Sequence, residues 1–319
     1  EGEGEGELSW VDSRSIRLIG DDQQDIARLL ATFRLLAWRA WAEQSRDREA
    51  AFAKLAFNAL FGLIVGGIYY DVGNSQASIQ NRQGVLFFML INQNFSSVIA
   101  VLGAFPKERD VVARERACRA YPMFSYFIAK VVVEMPLNLL PVLVYIVIAY
   151  PMIGLQPHRF GWFLLIAMLC NIASINLGLA ASAVSKNAEA ATAIGVPLLI
   201  IGVLFGGFYA SIASMPVVVN LIPYLTIFRW AYQAVVVNEF RGLRFECDGD
   251  LEGGCVTTGE EVLANMDFGD VTLWLPLVGL SAVLLGLLGV AYLLLELTGV
   301  TYTPVGAVGA VFAKHKAGA

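Results

Sequence analysis

The chain has 319 residues, of which 57% are hydrophobic and only 15% charged, and its mean hydropathy is +0.63. A soluble domain of this size carries roughly a quarter charged residues, so an ordinary water-soluble fold is excluded. A net charge of −5 argues against nucleic-acid binding by the chain as a whole.

The first stretch, 1–25, opens with the acidic repeat Glu1-Gly-Glu-Gly-Glu-Gly-Glu7. Such low-complexity sequence cannot bury a core. It lacks the basic start, apolar centre and small-residue cleavage site of a signal peptide, and reads as a linker or the cut edge of a longer protein. Residues 26–50 follow as an amphipathic helix. Leu29, Leu30, Phe33, Leu36 and Ala37 share one face, with Arg28, Arg34 and Arg39 elsewhere. That pattern predicts a helix lying along the inner membrane surface.

Residues 51–298 hold six candidate spans, at 51–70, 84–105, 124–152, 160–184, 190–212 and 272–298. Each reaches the roughly 20 apolar residues that cross about 30 Å of hydrocarbon. The predicted fold is therefore an all-α polytopic membrane protein. Gly62/Gly66 and Gly202/Gly206 have the small-xxx-small spacing that lets helices approach closely. Apart from Lys54, near the start of the first span where it can snorkel, the charged residues within spans are Lys130, Glu134 and Glu296, too few for the acidic chain of a proton-driven carrier.

Charge sets the expected orientation. An even-span layout puts 17 of the 22 Lys and Arg on one side; Arg82, Arg159, Arg229, Arg241 and Arg244 fall on the other. The positive-inside rule then places both termini, including the tail 299–319, in the cytoplasm. The outer loop 213–271 is acidic. Its apolar part, Val217–Val237, is interrupted by Pro216, Pro223, Arg229 and Asn238, and reads as re-entrant helices dipping into the outer leaflet. Cys247 and Cys255 lie in this loop, eight positions apart. The outer side of a plasma membrane is oxidising, so a disulfide is expected, with two free thiols as the alternative. A zinc site would need more ligands than two cysteines without a nearby histidine.

No catalytic signature is present: there is no HExxH, GxSxG or GxxxxGK[ST], and the only histidines are His158 and His315. No catalytic residue and no metal site are expected in this chain.

Four ordered stretches carry a family resemblance. They are Ile79-Gln-Asn-Arg-Gln-Gly-Val-Leu-Phe-Phe88 with Asn92-Gln-Asn-Phe95; Phe105-Pro-Lys-Glu-Arg-Asp110 with Tyr121-Pro-Met-Phe124; Gly206-Gly-Phe-Tyr209 with Ile222-Pro-Tyr224 and Asn238-Glu-Phe240; and Phe245-Glu-Cys247 with Cys255 and Thr258-Gly-Glu-Glu261. Together, over roughly 29–298, they resemble the membrane domain of G-subfamily ABC half-transporters. The resemblance implies a homo- or heterodimer that exports lipid-like or amphipathic compounds through its interface. It also implies an ATPase domain, with ATP and Mg, outside the residues shown; without it the chain is no translocase.

The resemblance also suggests roles. Phe88, Asn92 and Phe95 lie on one helical face and, with Ile200 and Val203, match the family's substrate slot. The alternative for Asn92 is interhelical packing as a polar glue. Phe208 and Tyr209 match the pair that closes the cavity outward, although many members have aliphatic residues there; aromatic anchoring at the interface is the alternative. Lys107, Glu108, Arg109, Glu115 and Arg116 match the segment coupled to the ATPase; the alternative is a solvated cytoplasmic loop. The sequon Asn94-Phe-Ser96 falls inside a span and should be unmodified. Competing readings are a stand-alone ABC-2 permease with a separate ATPase chain, a non-transporting scaffold or receptor, and an intramembrane enzyme.

Overall fold

The computed structural model describes residues 33–35, 37–39, 42, 48–117, 123–209, 221–247 and 255–298. The expected linker 1–25 and tail 299–319 lie outside these residues, as does most of the connecting helix at 26–50. What is described of the latter, 33–35, 37–39 and 42, is helical.

Among the described residues nine α-helices follow: α1 (Arg48–Ile68), α2 (Gln76–Ala117), α3 (Met123–Ile153), α4 (Phe160–Val184), α5 (Ala188–Leu204), α6 (Ile222–Leu225), α7 (Ile227–Phe240), α8 (Gly259–Asn265) and α9 (Trp274–Leu297). A 3-10 turn, Pro157–Arg159, leads into α4. Among the described residues the only bridge of β type pairs Arg244 with Thr258.

Among the described residues five helices contain apolar stretches long enough to cross a bilayer: Ala51–Ile68, Gln76–Gly103, Phe124–Ile153, Pro157–Val184 (which begins at the 3-10 turn) and Trp274–Leu297. Leu60, Leu63, Val147, Leu285 and Leu293 on their surfaces are exposed. Water would penalise such a belt, whereas lipid solvates it. Proline inside α3, at 136, 141 and 151, is tolerated where neighbouring helices or side chains satisfy the freed carbonyls.

The fifth span is shorter than expected. Its helix ends at Leu204, not at residue 212. The chain turns at Gly206-Gly207, where Gly207 has φ +86, a conformation that stops a helix and suits glycine. At its other end Asn187 caps α5 by accepting a hydrogen bond from the Ala190 N–H at 2.8 Å. Seventeen residues give about 26 Å of helix, so α5 is a short crossing element.

The stretch expected to be re-entrant also differs in detail. Arg229 and Asn238 do not interrupt it; α7 runs through both. The break falls at Thr226, whose backbone is extended between α6 and α7 and whose hydroxyl donates to the Pro223 carbonyl at 2.8 Å.

The segment expected as a link between two spans is instead the far half of α2, helical to Ala117. Forty-two residues make a rod of about 63 Å, twice the hydrocarbon thickness.

Packing follows the glycines. A Cβ on Gly62 would meet the Tyr145 carbonyl oxygen at 3.1 Å, and one on Gly66 would meet the Met152 Cβ at 2.8 Å. Lacking side chains, both let α1 lie against α3. Gly202 and Gly206 likewise let α5 seat on Phe228 of α7. The buried stripe of α5, Ala191, Gly195, Leu199 and Gly202, leaves most of the rest of that helix exposed. At the centre stands α4, buried on most of its circumference.

The connections 69–75, 154–159, 241–247 and 255–258 gather at one end. Asp71 N donates to the Met152 carbonyl, Glu246 N to that of Asn74, and Gln76 Nε2 to that of Val256, at 3.1, 2.9 and 2.8 Å. Arg82, Arg159, Arg241 and Arg244, expected on one side of the membrane, belong to this loop-rich end.

Candidate functional site: a slot and its polar anchor

The helical repeat sets two faces of α2 to different tasks. Asn94 is 1% exposed and points into the bundle. Its Nδ2 donates to Cys170 Sγ at 3.2 Å, and its Oδ1 accepts from the Ser174 hydroxyl at 2.8 Å. One turn on, Asn171 Nδ2 donates to Ser97 Oγ at 2.8 Å. These contacts tie α2 to α4. The amide of the sequon is fully enclosed.

Asn92, two positions earlier, lies on the other face. It is partly exposed and makes no hydrogen bond among the described residues. Phe88, Asn92, Phe95 and Ile99 follow the i, i+4, i+7, i+11 spacing of one stripe; Phe88 and Ile99 are 42% and 50% exposed.

The five residues expected in a slot are not all brought together. Phe95 and Val203 pack against the same apolar cluster, built on Val98, Leu102, Leu199 and Phe228. Ile200 is exposed on α5. Phe88 leans away toward α1, its ring 6.2 Å from that of Phe61. Nearer the start of α5, an open groove of about 560 Å³ is lined by Ala188, Glu189, Thr192, Ala193, Val196 and Pro197.

Phe208 and Tyr209 join an aromatic group. The Phe208 ring stacks on Phe87 at 4.4 Å, Tyr209 meets Phe87 edge-on at 5.4 Å, and Tyr232 meets both Phe87 and Phe208, at 5.2 and 5.8 Å. Sequence reading missed Phe87 and Tyr232, since one ring more in an apolar helix gives no signal.

At the loop-rich end sits a polar anchor that sequence reading also missed. Arg82 Nη1 donates to Glu239 Oε1 at 2.7 Å, with side chains 4% and 1% exposed. Arg82 Nη2 donates to the Gly73 carbonyl at 2.9 Å, and the Gln156 backbone N–H donates to Glu239 at 3.2 Å. Gln156 Nε2 also donates to the Glu239 carbonyl. Burial pushes the Glu239 carboxyl above the usual range, while the Arg82 guanidinium and the Gln156 N–H oppose it. The available signal was two opposite charges bordering apolar helices, where an unpaired charge is expensive.

Cys247 and Cys255 are disulfide-bonded, with Cα atoms 6.0 Å apart. Beside them Thr258 caps α8, its hydroxyl accepting from the Glu261 N–H while Glu261 accepts from the Thr257 N–H, at 3.3 and 2.9 Å. Among the described residues no cluster of His, Cys, Asp and Glu could hold a metal. Lys107, Glu108, Arg109, Glu115 and Arg116 lie on helical backbone in α2; their side chains are outside the described residues.

An all-α bundle of membrane-crossing helices, with an apolar stripe and loops gathered at one end, defines a polytopic transport-type membrane domain. The chain belongs to the ABC-2 type transporter family, whose signature matches residues 31–240. It is similar to ABC transporter G family member 7 of Arabidopsis thaliana, 34% identical over 255 residues, 79% of this chain and 35% of the relative. Protein white of Drosophila melanogaster is 30% identical over 266 residues, 79% of this chain and 37% of the relative. The bovine broad substrate specificity ATP-binding cassette transporter ABCG2 is 31% identical over 291 residues, 88% of this chain and 40% of the relative. The chain thus spans well under half the length of these curated relatives.

Proposed function

We propose that this chain is the membrane half of an ATP-driven exporter that moves lipid-like or amphipathic compounds. The observation that carries this reading is the unused amide of Asn92, set in the apolar stripe of Phe88, Phe95 and Ile99 on a family-matched transporter helix. In hydrocarbon an amide seeks a hydrogen-bond partner. A flat, apolar compound with one polar group supplies that partner while the aromatic rings cover its faces.

The slot becomes a cavity when a second half-transporter, identical or similar, faces the exposed sides of α2 and α5. Ile200 and Val203 then form its apolar wall, and the groove near Glu189 extends it toward the far end of the bundle. Phe208 and Tyr209, with Phe87 and Tyr232, close it toward the loop-rich end, which faces outward. Both termini are cytoplasmic, and the plasma membrane is the expected site.

The driving step belongs to an ATPase domain binding ATP and Mg, outside the residues shown. The greater length of the relatives, and the bovine protein's description as an ATP-binding cassette transporter, support such a domain on the same chain. Its closure acts on Lys107, Glu108, Arg109, Glu115 and Arg116. These share one helix with Phe95, about 21 Å from Arg109 by helical rise. Because α2 is one continuous helix, motion at the coupling end is carried along it to the slot, past Pro106, where the helix can bend. This chain itself binds, orients and gates; it performs no bond chemistry.

The test uses the full-length protein in inverted vesicles with an amphipathic fluorescent dye. Asn92→Ala and Phe95→Ala should each lower ATP-dependent dye uptake at normal expression. Unchanged uptake in both removes the slot.

A further inference from the structure

Arg229 sits in the first turn of α7, beside the exposed turn of α6. Its guanidinium carbon lies 3.7 Å from the centre of the Tyr224 ring and 5.3 Å from that of Trp230. Its Nε and Nη1 are buried and have no hydrogen-bond partner. Among the described residues no carboxylate pairs with it. Arg229 is a cation, and stacking on aromatic faces compensates its charge only in part. Among the described residues Arg229 is therefore a cation without its anion.

The surroundings indicate where that anion comes from. Leu221 and Leu225 are 67% and 71% exposed. The Trp230 ring lies 2.4 Å from where a Cβ on Gly279 would stand, which sets Arg229 beside the first turns of α9. There Trp274 and Leu275 are exposed as well. Gly279 is five residues from the start of α9, so Arg229 lies roughly 7 Å below that end by helical rise. Aromatic rings, exposed leucines and a partly exposed cation at this depth match the boundary between lipid headgroups and acyl chains. Nη2 is the guanidinium nitrogen of Arg229 left open to this surface, and it can give a phosphate oxygen one charge-assisted hydrogen bond.

We infer that Arg229 holds the phosphate of a phospholipid in the leaflet at the loop-rich end, with the acyl chains lying over Leu221, Leu225 and Leu275. The lipid supplies the missing counter-charge and pins the α6–α7 turn to the bilayer. The site is distinct from the Asn92 slot, on which it does not depend.

The test compares the purified protein in nanodiscs of phosphatidylcholine and of phosphate-free digalactosyldiacylglycerol, without ATP. Native mass spectrometry after release counts retained phospholipid, and thermal unfolding reads its effect. The wild type should retain one more phosphatidylcholine than Arg229→Gln and unfold at higher temperature in phosphatidylcholine than in galactolipid. Retention by Arg229→Gln should be about tenfold weaker, as expected for loss of one charge-assisted contact. Arg229→Lys keeps the charge and loses the planar group stacked on Tyr224; it should retain part of the lipid, and it carries the test if the glutamine variant does not fold. Arg244→Gln, at an exposed arginine of the same end, should behave as the wild type. Equal retention by Arg229→Gln or Arg229→Lys and the wild type overturns the site, as does equal loss in Arg244→Gln. If millimolar inorganic phosphate in galactolipid discs reproduces the whole thermal shift, the ligand is a free anion and the lipid assignment is overturned. Because the readout is lipid retention, its failure leaves the transport reading untouched.

Discussion

Arg82 and Glu239 form a buried ion pair, 2.7 Å long, that joins α2 to α7 across 157 positions of sequence. Glu239 also receives the Gln156 N–H, and Arg82 also reaches the Gly73 carbonyl. One pair thus fastens the loops that follow α1 and α3 to the end of α7.

Removing one partner leaves the other charge buried and unpaired, at a cost of about 3–5 kcal/mol. Glu239→Gln and Arg82→Met should each lower the thermal midpoint in detergent strongly. The double variant Arg82→Met/Glu239→Leu should lose less than the sum of the two. Single variants as stable as the wild type would show that the pair carries little of the fold.

The two asparagines on opposite faces of α2 should separate stability from function. Asn94→Ala leaves the Ser174 hydroxyl without its acceptor and should cost about 1–3 kcal/mol. Asn92→Ala breaks no hydrogen bond among the described residues and should change stability by no more than about 0.5 kcal/mol. Thermal unfolding of both variants checks this; a large loss in Asn92→Ala would make it packing glue.

Glycine at 259 is required by backbone crowding. A Cβ there would lie 1.8 Å from the Phe240 carbonyl oxygen, whereas at Gly67 it would meet nothing within 4 Å. Gly259→Ala should destabilise by about 2–3 kcal/mol through overpacking. Gly67→Ala should be neutral or slightly stabilising from helix propensity. Equal behaviour of the two in thermal unfolding would contradict the packing described.

The disulfide closes a loop of about eight residues, worth about 2.5 kcal/mol by chain entropy. Cys247→Ser should lower the melting point of the purified protein accordingly. In intact cells an impermeant maleimide should label Cys247 only after reduction. Labelling without reductant would show free thiols.

Much of the fold was legible because the bilayer writes itself into sequence as long uncharged stretches. Five spans and the close-approach glycines at 62, 66, 202 and 206 could be read that way. The end of α5 could not, because Phe205, Phe208 and Tyr209 are as apolar as the helix before them. Only the positive φ at Gly207 marks the stop. The slot was expected from family resemblance and a shared helical face; Asn92 does lie on a partly exposed stripe, but the pattern could not tell that Phe88 would lean onto Phe61. Arg82–Glu239 and the Asn94 ties are non-local. A pair 157 positions apart leaves no periodicity to find.

Cysteine reactivity at position 92, in a full-length protein that retains the enclosed Cys170, tests the central claim most directly. With a membrane-permeant thiol reagent, Asn92→Cys should react and be protected by a transported amphipathic compound, while Asn94→Cys should not react. If position 92 is unreactive, or reacts equally with and without the compound, the amide does not face a substrate path.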